Sequence, residues 1–226
     1  MHTPFFLLSH LNKNINDLSM LLANNLTFIR DGREIFTNLD IAISQKKIIH
    51  LRGRNGIGKT TLINVLTNML IPQKGEIYWN GKNIKKNIYE YFNNLTYIMD
   101  TQTSKKEMTV EENIKFWIKL SSSSIKVDEI EKILKVLLLD NYKKTQVNFL
   151  SKGEIKKLEL CRLIIEQKKL WMLDEPYVGL DDSTISLINE TFKNHVENNG
   201  MIIFSSHYNP ELQNLEIVQL ENYANI

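Results

Sequence analysis

Apolar residues recur along this chain in two rhythms, and the switch between them predicts the order of its elements. Between Leu21 and Leu51, runs such as Leu39-Asp40-Ile41-Ala42-Ile43 and Lys47-Ile48-Ile49-His50-Leu51 have the length and branched side chains of strands, with polar turns between them. Thr60 to Leu70 reads as a helix with Leu62, Val65 and Leu66 on one face. It stops ahead of Pro72, because a proline pushes the preceding residue out of helical geometry. Glu76-Ile77-Tyr78-Trp79 followed by Asn80-Gly81 reads as a strand and a tight hairpin turn, since Asn and Gly tolerate positive φ.

The rhythm then changes. Glu111 to Leu120 and Val127 to Leu139 repeat at helical spacing, and in the second stretch Ile130, Ile133, Leu134, Leu137 and Leu138 are predicted to share one inward face. Ser121 to Ser124 link the two. Strand-like runs return at Leu170 to Leu173 and Met201 to Phe204, on either side of a helix that turns Ile185, Ile188, Phe192 and Val196 inward. Strand and helix in alternation predict a largely parallel sheet, here with a small helical lobe inserted over about residues 101–165.

Composition narrows the class. A chain of 226 residues that is 42% hydrophobic can bury one sizeable core. Its net charge of +2 lacks the basic stripe of a nucleic-acid binder, so no nucleic-acid partner is expected, and Lys105-Lys106 and Lys156-Lys157 read as solvated faces. The single cysteine, Cys161, rules out an internal disulfide framework and, among Leu158, Leu163 and Ile165, reads as a small packing residue. No apolar run approaches the roughly 18 residues of a membrane span, so any work at a membrane would pass through a partner. Residues 1–19 contain the apolar run Pro4 to Leu8 without the basic start of a secretory signal, and they read as a flexible extension ahead of a single domain over 20–226. Richness in Asn, Ile and Lys points to an AT-rich coding genome.

The chemistry is concentrated in a few peptides. Gly53-Arg54-Asn55-Gly56-Ile57-Gly58-Lys59-Thr60 satisfies G-x-x-x-x-G-K-[ST] between a predicted strand and a predicted helix. Glycines there let backbone N–H groups curl around phosphates, and the helix start adds partial positive charge. The residues from Gly53 to Thr61 are therefore the candidate ATP contacts, with Lys59 facing the β and γ phosphates and the Thr60 hydroxyl a candidate Mg2+ ligand. The run ending Leu173-Asp174-Glu175 offers Asp174 to the metal and Glu175 to the attacking water as general base.

Leu150-Ser151-Lys152-Gly153-Glu154, opening a helix from Ile155 to Glu166, resembles the L-S-G-G-Q signature of ABC ATPases. Alone it also reads as an ordinary helix cap, but its place some twenty residues before Asp174 favours the signature. Gly179-Leu180-Asp181 resembles that family's D-loop, and Ser205-Ser206-His207 its switch histidine. The resemblance implies an α/β P-loop NTPase (RecA-like) core with a mainly parallel sheet, an antiparallel β subdomain and an inserted α-helical subdomain. It also implies a head-to-tail dimer in which Ser151 and Gly153 of one copy face the γ-phosphate held by the other, with Asp181 beside the nucleotide and His207 on the γ-phosphate.

Three departures stand out. Arg30 occupies the place of the aromatic residue that stacks on adenine, and its planar guanidinium can stack instead. Asp100 stands where a glutamine couples the metal to the helical lobe, with Gln102 two positions further on. Lys152 and Glu154 replace Gly and Gln in the signature. Within the family the chain is most similar to the ATPases of haem exporters used in cytochrome c maturation. That similarity implies integral membrane permease subunits as partners and peripheral attachment to an inner membrane, on its cytoplasmic or mitochondrial-matrix side. Phe116 and Trp117 read as lobe core or as part of the groove for such a partner. The alternatives are the ATPase of another ABC exporter and a hydrolysis-impaired regulatory subunit. A kinase or GTPase would lack the signature, and a soluble ABC protein of translation or repair would carry two cassettes or a coiled coil.

Overall fold

The computed structural model describes residues 20–224, so the extension expected over residues 1–19 lies outside the described residues. Two sheets form the frame of the molecule. The first is antiparallel, in the order β2-β1-β4-β5, built from β1 (Leu21–Arg30), β2 (Arg33–Ile43), β4 (Lys74–Trp79) and β5 (Lys82–Asn83). Its hairpins turn on Asp31-Gly32 and Asn80-Gly81, each pair at positive φ, as a two-residue turn between right-twisted strands requires.

The second sheet is parallel, in the order β6-β7-β8-β3-β9: β6 (Leu95–Ile98), β7 (Leu170–Asp174), β8 (Met201–Ser205), β3 (Ile48–Arg52) and β9 (Leu215–Gln219). β7 and β8 are buried along their whole length, as expected for parallel strands covered on both faces. Their residues alternate between two cores. Leu51, Met172 and Ile203 join the cluster under the antiparallel sheet with Phe36, Trp79 and Tyr91. Trp171, Leu173 and Phe204 join the cluster on the other face with Trp117, Leu134, Leu158 and Phe192.

The described residues also form six α-helices: α1 (Lys59–Leu66), α2 (Ile88–Asn93), α3 (Val110–Leu120), α4 (Ile130–Val136), α5 (Lys152–Glu166) and α6 (Asp182–Glu197). α3 to α5 form the inserted lobe. Thr109 caps α3 through a reciprocal capping box with Glu112. Among the described residues no helix is long and apolar enough to cross a membrane. Cys161 is fully buried in the second core, and burial pushes its thiol far above the usual range, in keeping with a packing role.

Two helices end earlier than their apolar spacing predicts. α1 stops at Leu66 because Asn68 adopts the left-handed conformation (φ 59°), after which the N–H groups of Met69 and Leu70 both return to the Asn64 carbonyl. α4 stops at Val136 because Leu138 does the same (φ 55°), and the Leu139 N–H closes on the Leu134 carbonyl at 2.8 Å. Leu138 is thereby 52% exposed, and Leu139 takes the buried position instead.

His195, in the last turn of α6, stacks on Trp171 with ring centroids 3.5 Å apart. Burial lowers its pKa from 6.5 to about 4. Below pH 6.5 the unfolded chain takes up a proton that the folded chain refuses, so this group costs stability progressively as pH falls from 6.5 towards 4. His195→Phe, which keeps the stack, is expected to flatten that acid-side loss when urea midpoints are compared at pH 7, 6 and 5.

Candidate active site

The register of the parallel sheet sets three strand ends at one level. Leu51 of β3 and Asp174 of β7 both pair with Ser205 of β8, so the peptides that follow these strands emerge into the same crevice. After Arg52 the chain winds through Gly53, Gly56 and Gly58 at positive φ and enters α1 at Lys59. A side chain at Gly58 would be strained, since a Cβ there would stand 2.5 Å from Ile35 Cγ2 in a left-handed backbone. Gly58 also offers no side-chain cap, so the first N–H groups of α1 are left to an anion. Ile57 anchors the loop in the core, while Arg54, Asn55, Gly56 and Thr60 face outward and Thr61 is buried. The buried Lys59 donates to the Gly53 carbonyl at 2.8 Å and lies 3.2 Å from His207 Nε2.

Asp174 is 2% exposed and accepts a 2.5 Å hydrogen bond from the Ser205 hydroxyl. That hydroxyl also accepts from the Glu175 N–H at 3.1 Å. Glu175 itself adopts φ 48°, a conformation that non-glycine residues hold only under constraint. Its Oε1 lies 3.7 Å from His207 Nε2, and its Oε2 is buried without a hydrogen-bond partner. A buried orphan oxygen on a carboxylate is costly unless a ligand or water completes it. A cleft of about 410 Å³ opens alongside, lined by Thr60, Asn64, Tyr97, Asp100 and Asp174 among others. Thr60, an exposed residue, and the buried Asp174 both line this cleft, and their side-chain oxygens are of the kind that suits a hard divalent cation.

Lys156 was expected on a solvated face, yet it is only 7% exposed. Its Nζ donates to the Asp174 carbonyl at 3.4 Å and lies 4.0 Å from Asp100. Burial pulls its pKa down and the facing carboxylates, Asp100 first, push it back up. A helix turns successive residues by about 100°, so Lys157 points elsewhere, towards Asp181 at 4.0 Å. Gln102 turns back on Ser104 within its own loop, whereas Asp100, with Met99 and Thr101, lines the cleft.

Ser151 caps α5. Its hydroxyl accepts from the Glu154 N–H at 3.3 Å, and the Glu154 carboxylate accepts from the Ser151 N–H at 2.7 Å. Among the described residues, neither Ser151 nor Gly153 hydrogen-bonds the phosphate loop of its own chain. Asp181 caps α6, and hydrogen bonds from Thr184 and Ser183 hold its carboxyl down at about 2. Arg30 is exposed at the end of β1 with its guanidinium 5.7 Å from the Phe28 ring centroid. One contact has no sequence signal: Glu221, far along the chain, accepts from the Arg54 N–H at 2.8 Å, and that bond holds its carboxyl below the usual range.

The sequence pattern of the ABC transporter family matches residues 36–178, and the chain belongs to that family as an ATP-binding, ATP-hydrolysing subunit. Several of its relatives form a narrower group within the family. It is 33% identical over 188 residues, 83% of this chain and 92% of the relative, to the cytochrome c biogenesis ATP-binding export protein of Vibrio vulnificus. To the protein of the same name from Histophilus somni it is 31% identical over 203 residues, 90% of this chain and 94% of the relative. The fold matches an ABC transporter ATP-binding protein from Pyrococcus furiosus with a TM-score of 0.79 at 23% identity, over 91% of this chain and 99% of that one. It also matches a dimeric ATP-binding cassette in a post-hydrolysis state bound to ADP and Pi, with a TM-score of 0.74 at 18% identity, over 84% and 88% of the two chains.

The start of α5 approaches the turn before α6 closely. A Cβ at Gly153 would stand 2.9 Å from the Gly179 carbonyl oxygen. Gly153→Ala is therefore expected to destabilise the chain by about 1–3 kcal/mol through overpacking, read as a lower urea midpoint, whereas Lys152→Ala at the exposed neighbouring position leaves it unchanged.

Proposed function

We propose that the chain works as one half of a head-to-tail pair that closes around two ATP molecules and draws work from their hydrolysis at a membrane. The observation that carries this reading is the buried, unpartnered Oε2 of Glu175, held in a constrained backbone beside His207 and one strand away from the phosphate loop. In this assignment the backbone from Gly53 to Thr61 cradles the phosphates, Lys59 leaves its loop carbonyls for the β and γ oxygens, and Arg30 stacks on the adenine. Thr60 and Asp174 would hold Mg2+, whose charge would offset that of the phosphate oxygens. Glu175 takes a proton from the attacking water as the water's oxygen bonds to the γ-phosphorus. The bond to the bridging oxygen breaks, leaving ADP and inorganic phosphate, while His207 keeps base and water in line. Ser151 and Gly153 of the second copy, with Asp181, complete the site across the interface.

A groove of about 640 Å³ between core and lobe is our proposed seat for integral membrane permease subunits. Phe92, Phe116, Trp117 and Leu120 line it; Phe92, Phe116 and Leu120 are exposed, which supports a docking role, while Trp117 is buried in the lobe core. By the names of its relatives, the complex would serve export in cytochrome c biogenesis; in our reading its cargo is haem, and the ATPase is peripheral on the cytoplasmic or matrix side of an inner membrane.

Glu175→Gln is expected to keep ATP binding, slow hydrolysis by about 10²–10⁴, and accumulate an ATP-dependent dimer in gel filtration. Hydrolysis at the wild-type rate would place the base elsewhere. Lys59→Ala should instead weaken nucleotide binding in an equilibrium assay. Co-purification from membranes tests the partner assignment. A wild-type chain inactive both alone and with its recovered partners would favour the regulatory alternative.

A further inference from the structure

A buried imidazole outside the proposed chemistry stands in the middle of β3. His50 lies three residues ahead of Gly53, in a strand otherwise made of Ile48, Ile49, Leu51 and the half-buried Arg52, and is 1% exposed. Its ring stacks on Phe204 with centroids 4.4 Å apart and 15° between planes. Packing alone would be served there by an aliphatic side chain. The polar edge does something more specific: Nε2 lies 2.9 Å from the carbonyl oxygen of Ser206. A carbonyl can only accept, so Nε2 carries the hydrogen and donates it.

The position of that carbonyl matters. The ladder between β3 and β8 ends with the pair Leu51 and Ser205, so the Ser206 carbonyl lies beyond the last paired residues. His50 extends the attachment by one peptide with a side chain. Three consecutive residues are thus each tied to a different part of the site. Ser205 bridges Asp174 and Glu175, Ser206 is held by His50, and His207 lies within 3.2 Å of Lys59 and 3.7 Å of Glu175. Ser206 is itself buried, and its hydroxyl accepts from the Tyr208 N–H at 2.9 Å, so the turn around His207 is held on both sides.

We propose that His50 is a positioning residue for His207: by fixing the peptide between Ser206 and His207, it aims the switch imidazole at the reacting phosphate. The inference rests on the reading of His207 as the γ-phosphate contact. A side chain at position 50 without a donor leaves the Ser206 carbonyl buried and unpaired, free to rotate that peptide. The phosphate loop itself keeps its own hydrogen bonds, so nucleotide affinity is not what the bond controls.

The test compares the full-length chain with His50→Gln, which offers an amide N–H to the same oxygen, and His50→Met, which packs on Phe204 without a donor. Single-turnover ATP hydrolysis and equilibrium ATP binding are measured for both, for His207→Ala and for the His50→Met, His207→Ala pair. We expect His50→Met to slow hydrolysis about tenfold with ATP affinity within about twofold, His50→Gln to stay within about threefold of wild type, and the double variant to match His207→Ala. Equal losses in the Gln and Met variants, a loss of ATP affinity alone, or multiplying effects in the double variant would each overturn the proposal. If the methionine variant fails to melt cooperatively, His50→Val, a buried-strand former, takes its place in every arm. Wild-type hydrolysis by His207→Ala would sink the switch reading itself, whereas a slow His207→Ala beside a wild-type-like His50→Met would sink only the role of His50.

Discussion

The hydroxyl of Ser205 is the hinge pin of the site. It donates to the Asp174 carboxylate and accepts from the Glu175 N–H, so one oxygen fixes the end of β7 to the end of β8 at the point where the ladder runs out. Because β8 also pairs with β3, that single register sets the height of the phosphate loop against both carboxylates. A one-residue slip in any of these parallel strands would send the inward side chains to the opposite core and separate the three peptides. Burial on both faces is what makes such a slip prohibitive, with Met172 and Ile203 committed to one core and Trp171 and Phe204 to the other.

Electrostatics complete what the backbone begins. Several carboxylates converge at the proposed triphosphate site, an arrangement that repels itself unless cations intervene. Lys59 and Lys156, both buried, approach from the loop and from α5. Lys59 is held by neutral backbone carbonyls, which attract a cation less strongly than phosphate does, and that leaves it transferable. Lys156, by contrast, is locked under the Asp174 carbonyl and near Asp100.

What could be read from the sequence depends on how local each signal is. The glycine-rich turn between strand and helix, the acidic strand end, the parallel sheet and the helices between β6 and β7 come from contiguous spacing, and the fold has each of these elements. α1 and α4 ended short because Asn68 and Leu138 take left-handed conformations, and a leucine gives no warning of that in its composition. The inward turn of Lys156, the bridge through Ser205 and the capture of the Arg54 N–H by Glu221 depend on partners 18 to 167 positions away. Such contacts exist only once the sheet is assembled. Asp100, an irregularity in the sequence, is explained in part by the fold: it lines the cleft while Gln102 turns away.

α5 has one further property. Near its C-terminal end, Glu166 accepts from Thr96 of β6 at 2.9 Å and from Arg162 at 2.7 Å, which roots the helix in the core. Midway, the buried Glu159 grips the Thr103 and Ser104 N–H groups at 2.8 and 2.6 Å, strapping the start of the lobe to the same rod. Lever arithmetic then applies: 15 residues of helix extend about 22 Å, so each tilt of roughly 3° about the rooted end swings the opposite tip, Ser151, through about 1 Å.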